Sequence, residues 1–165
     1  MKKVIAVLVL IVAAIVGLMV QPVTAVLDPI VIKANCSIAQ STLSRLEKID
    51  VGTRLNRASD YDRLLKLMFT MNARLANNHI AAPELSVIAG QYADATALFR
   101  RNYDVYSDRL SQVIAFNCQN EPLRFYSILG EVRAARAVLH DNVLLLSQLA
   151  DDYLAVFDAI WENLK

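Results

Sequence analysis

Glycine and proline are scarce in this chain, with four of each in 165 residues. Past residue 25 only Gly52, Gly90 and Gly130 remain, with Pro29, Pro83 and Pro122. That is too few turn-formers for a β-sandwich or a barrel. A charge excess is missing as well. Residues 26–165 carry 15 Lys and Arg against 16 Asp and Glu, a net charge of −1. Near-neutrality argues against nucleic acid or an anionic lipid surface as the main partner. Patterns for bound groups are also missing. No Glu-x-x-His, His-Glu-x-x-His, Cys-x-x-Cys-His or Gly-rich phosphate loop occurs, so no metal or cofactor is expected. A Gly-x-Ser-x-Gly elbow is absent too, and the expectation is a protein that is not an enzyme.

What is present begins with a leader. Met1-Lys2-Lys3 precedes a 17-residue apolar run, Val4 to Val20, and Val23 and Ala25 stand at the small-residue positions of a signal-peptidase site. Residues 1–25 therefore read as a signal peptide cut after Ala25, with an uncleaved membrane anchor as the alternative. Either way Lys2 and Lys3 stay inside and the rest of the chain is extracytoplasmic. Contact with a membrane is expected only through a retained leader. Residues 26–35 read as an extended linker.

The remaining 130 residues, 36–165, carry helical periodicity. From Pro122 onward no further proline occurs. Apolar side chains recur in steps of three and four from Phe125 through Val132, Leu139, Leu146 and Tyr153 to Ile160. A neighbouring stripe adds Ile128, Ala135, Leu149 and Val156, a breadth that suits a helix touching two partners. A second stretch starts at Ala82-Pro83-Glu84 and buries a stripe from Leu85 and Tyr92 through Phe99, Tyr103 and Tyr106 to Val113. A first stretch, from Cys36 to Asn78, changes phase at Asp50-Val51-Gly52, which reads as a kink or as two collinear helices. The predicted helices are 36–78, 83–116 and 122–163. Short turns make neighbours antiparallel, so the fold class is all-α: an elongated, coiled-coil-like, antiparallel three-helix bundle. At 1.5 Å per residue the outer helices exceed the middle one by about ten residues' length, to be absorbed at the kink or by an overhang.

This topology brings the start of the first helix and the end of the second to one pole. Cys36 and Cys118 stand there. A disulfide between them is the economical reading for an exported chain, against two free thiols or an intermolecular bridge.

Few polar residues interrupt the stripes. Arg136 sits on the apolar series of the last helix, at the height of Asp104 and Asp50. It either pairs with one of them and fixes the register, or covers the core with its stem while its head reaches water. Arg100, Arg101 and Arg109 have Asp104 and Asp108 at intrahelical spacing. The distal turn holds His79 and Ile80, with Trp161 predicted at the same end. An exposed Ile80 beside that single Trp would anchor a protein partner; the alternative is that both close the end of the core. Val138, Leu144 and Leu145 fall off the main stripe and suit a homo-oligomeric contact.

The order of leader, first cysteine, Leu43-Ser44-Arg45, Tyr61-x-x-Leu64, Tyr103-x-x-Tyr106, second cysteine and long final helix resembles that of exported helical proteins of small-genome bacteria. A bundle behind an N-terminal anchor also resembles the sensor domains of bacterial chemoreceptors. Neither resemblance implies an activity, a cofactor or a functional residue. The expected function is an exported, non-enzymatic helical interaction or structural module of the cell envelope. The alternative is a periplasmic ligand-binding or chaperone-like protein that uses a groove between helices. An apolar groove open to solvent would favour the second over the first.

Overall fold

The computed structural model describes residues 28–164. Within them the chain is all-helical, with four helices packed against one another: α1 (Pro29–Ala34), α2 (Cys36–Asn77), α3 (Pro83–Ala115) and α4 (Pro122–Glu162). The apolar leader and its cleavage site lie outside the described residues. None of the helices in the described part is long and apolar enough to cross a membrane.

The helix starts follow from local chemistry. Proline opens α1, α3 and α4, where its missing N–H costs nothing. Residues 29–34 are helical rather than extended as the sequence reading has it. The Asp28 carboxylate accepts from the Ile30 N–H at 2.8 Å and Pro29 presets the first turn, an N-cap pair that starts a helix too short to show an apolar period. At the other break, His79 takes a positive φ of 57° to end α2, and the Ile80 N–H returns to the Leu75 carbonyl at 2.9 Å.

Cross-helix bonds fix the directions. Glu47 accepts from Ser111, Asp50 from Tyr106, and Asn72 donates to the Leu85 carbonyl, so α2 and α3 run oppositely. Asn102 donates to Asn142 at 2.7 Å and Arg109 pairs with Glu131 at 3.1 Å, so α3 and α4 do as well.

Helix α2 passes through Gly52 without a break. The length mismatch is absorbed at the cysteine pole instead. There the first turn of α2 runs beyond the end of α3, alongside residues 116–121. Gln40 donates to the Ile114 and Phe116 carbonyls at 3.2 and 2.8 Å, satisfying acceptors that the end of α3 leaves open. Cys36 and Cys118 form the disulfide, with α carbons 5.7 Å apart. Gln119 donates to the Lys33 carbonyl and ties α1 to the same pole.

The core is centred on α3. Leu85, Tyr92, Tyr106, Leu110 and Val113 are almost wholly buried, each aliphatic or aromatic side chain contributing about 1.5–3 kcal/mol. Helix α3 packs closely on both α2 and α4, and α4 touches more than one partner, as its broad stripe suggests: α3 and α1 by close packing and α2 through Tyr153 and Arg136. Helix α4 packs on α3 along its length and on α1. No α carbon of α2 comes within 8 Å of one in α4. Helix α3 is thus the floor of a groove whose walls are α2 and α4.

Candidate functional site

The groove is spanned by side chains at two heights. Toward the cysteine pole, the Tyr106 hydroxyl on α3 donates to Asp50 Oδ2 on α2 at 2.5 Å. Asp50 Oδ1 lies 3.8 Å from Arg136 Nη2 on α4. Burial, the bond to Asp50 and the charge of that carboxylate all raise the Tyr106 pKa above its ordinary 10, while Arg136 pulls it the other way. The Arg136 side chain is 55% exposed and its pair is long, so solvent screens it. Arg136 therefore both approaches Asp50 and reaches water. Asp104 does not meet it. That carboxylate pairs with Arg54 at 3.0 Å, and the Arg54 guanidinium lies over the Tyr103 ring at 4.6 Å. Burial and the Asp50 charge raise the Tyr103 pKa, with Arg54 opposing. Arg57 completes the rim of a small cavity of about 130 Å³ here, floored by Phe99, Tyr103 and Tyr106.

At the distal height, the Tyr153 hydroxyl on α4 reaches across to α2. Its proton is shared between Asn72 Oδ1 at 2.7 Å and the Met68 carbonyl at 3.0 Å. The Asn72 amide donates in turn to the Leu85 carbonyl at 3.3 Å, so one asparagine links α2, α3 and α4. Burial raises the Tyr153 pKa. Every buried side-chain nitrogen and oxygen among the described residues has a hydrogen-bond partner.

Tyr153 is also one wall of a larger apolar cavity of about 330 Å³ between α2 and α4, at the lower end of the range for ligand pockets. Leu64, Leu67 and Met71 line it from α2, and Ala150, Leu154 and Phe157 from α4. Leu67 and Leu154 are 58% and 57% exposed, so the cavity opens to solvent. Among its ten lining residues Arg74 is the single charged one.

The expected contact tip is reorganised. Ile80 is half-buried and packed against the core, so it closes the end rather than standing exposed. Trp161 is 54% exposed. It lies four residues beyond Phe157 on α4 and does not share the role of Ile80: one is exposed and the other packs on the core. His79 and His140 are exposed. The arginine cluster pairs across helices instead of within α3, with Arg100 bonded to Asp62 and Arg109 to Glu131. Val138, Leu144 and Leu145 are 47%, 55% and 42% exposed on α4.

Sequence reasoning missed Gln40, Asn72, Asn142 and Arg74. Asn72 and Asn142 break apolar faces as Arg136 does, and that interruption was the available signal. Among the described residues no cluster of three or more His, Cys, Asp or Glu could hold a metal ion.

Compared with known proteins, the chain matches no family model, no curated relative and no solved structure. The disulfide points to an oxidising, extracytoplasmic setting.

Proposed function

We propose that the protein is an exported, non-enzymatic helical protein of the ligand-binding or chaperone-like kind, an elongated antiparallel bundle that offers the groove between α2 and α4 to an apolar ligand or partner segment. One observation carries this reading. The walls of the groove stay more than 8 Å apart at every pair of α carbons, and the distal cavity between them is apolar and open. A bundle serving only as a spacer gains nothing from that opening. Filling it would bury Leu67 and Leu154, which are more than half exposed. The disulfide supports export, with residues 1–25 as the leader that directs it.

The test uses the exported protein purified from cells and a neutral environment-sensitive dye, N-phenyl-1-naphthylamine. Dye fluorescence rises on binding in the groove, and Leu154→Asp removes the rise. Leu144→Asp, an exposed position off the groove wall, leaves it intact. A dye signal that is absent from the parent protein, or equal in both variants, rejects the groove.

A second reading is favoured by Val138 and Leu145, seven residues apart on α4 and both more than 40% exposed. They suit self-association through the outer face of α4. A monomeric mass by size-exclusion chromatography with light scattering at high concentration removes that reading.

A further inference from the structure

We propose that the distal cavity holds the chain of a single-chain anionic amphiphile, a free fatty-acid carboxylate, with its head at Arg74. This rests on the groove reading above and gives it a ligand class.

Three observations lead there. The first is width. The Tyr153 side chain alone bridges α4 to the Met68 carbonyl of α2, so the gap is one side chain wide. An alkyl chain fits such a slot, whereas a helix about 10–12 Å across does not enter it. The second is length. Leu64 and Arg74 bound the cavity along α2 and are ten residues apart, roughly 15 Å of helix. That accommodates an extended chain of medium length, with Leu67, Met71, Leu154 and Phe157 along its sides.

The third is charge. Arg74 lies at one end of an otherwise uncharged lining, and its guanidinium makes no ion pair or hydrogen bond with another described residue. Four of the seven other arginines in the two outer helices have carboxylates, Arg54 with Asp104, Arg63 with Asp60, Arg124 with Glu121 and Arg136 with Asp50. Arg45, Arg57 and Arg133 have none among the described residues, and what sets Arg74 apart is its place at the end of the apolar lining. An apolar slot that ends at an unpaired cation complements a molecule with one apolar tail and one anionic head. A planar carboxylate matches the guanidinium fork in two parallel hydrogen bonds.

The experiment displaces the neutral dye from the exported protein with submicellar dodecanoate, with dodecyltrimethylammonium of the same chain length, and with an acidic amphipathic helical peptide. Dodecanoate displaces at the lowest concentration. Arg74→Gln weakens dodecanoate by up to about fivefold, as expected for a solvent-reached ion pair, and leaves the cationic amphiphile unchanged. Arg74→Lys recovers part of the loss. If the dye binds but both amphiphiles displace it equally and Arg74→Gln has no effect, the anionic ligand is wrong while the groove stands. If the peptide displaces the dye and dodecanoate does not, the occupant is a protein segment and the proposal is overturned. If the parent protein binds no dye, the groove reading fails and takes this one with it.

Discussion

The Tyr153 hydroxyl donates to Asn72 Oδ1 across 2.7 Å and joins α4 to α2, two helices whose α carbons nowhere come within 8 Å. The bond is partly buried, the companion bond to the Met68 carbonyl is buried, and the same asparagine holds α3 through the Leu85 carbonyl. Removing the hydroxyl leaves Asn72 Oδ1 without its donor, while the Met68 carbonyl keeps only its helical bond. Tyr153→Phe is expected to destabilise the fold by about 1–2 kcal/mol, because the acceptors keep their desolvation cost. Urea denaturation followed by circular dichroism measures it. A midpoint equal to that of the parent protein would show that water replaces the hydroxyl without loss.

The disulfide closes a separation of 82 residues at the pole where α2 overhangs α3. In the chain-entropy treatment, cross-linking across that span stabilises by roughly 4–5 kcal/mol as an upper figure. Cys36→Ser with Cys118→Ser should therefore lower the thermal midpoint by several degrees while the helical circular dichroism at 25 °C persists. Gln40 and Gln119 still hold the pole in that variant. Equal midpoints with and without reductant for the parent protein would contradict the expectation.

Four tyrosines carry raised pKa values. Burial is the largest cause in each, and Tyr92 is pushed up to about 12. Unfolded tyrosine releases its proton near pH 10 while the folded side chain keeps it. The unfolded state then binds fewer protons than the native state, so stability falls as pH rises above about 10. Below pH 10 this contribution is fully present. Thermal midpoints recorded from pH 8 to 12 should be flat with respect to these groups up to about pH 10 and fall beyond it. Tyrosine absorbance near 295 nm should rise together with unfolding. An absorbance rise that is complete at pH 10.5 with the helices intact would mean that the hydroxyls are free to ionise in the native state.

Gly52 occupies an exposed position within continuous helix, and a Cβ built there meets nothing within 4 Å. Gly52→Ala is expected to stabilise by about 0.5–1 kcal/mol through the lower entropy of the unfolded chain. Denaturant midpoints decide it. A loss of stability would mean that α2 needs to bend at that point.

The periodicity of three and four determined where the three long helices form, though not the short α1. The predicted spans end within one residue of Asn77, Ala115 and Glu162, because proline at the starts and polar turns at the ends act locally. The buried stripe of α3 was legible for the same reason, since Leu85, Tyr92, Phe99, Tyr106 and Val113 must leave water together. Helix order placed Cys36 and Cys118 at one pole, and the exported setting made their pairing the economical reading over two free thiols or an intermolecular bridge. Tertiary structure decided what periodicity cannot encode. Which helix sits between the other two depends on how three apolar faces are shared, and that put α3 between α2 and α4. The spacing of α2 from α4 is set by what props them apart: Tyr153 on Asn72, and Tyr106 with Arg136 around Asp50. A linear pattern records that each side chain is apolar or polar, but not its reach across a gap. The groove, and the unpaired Arg74 at its end, therefore exist only once the helices have docked.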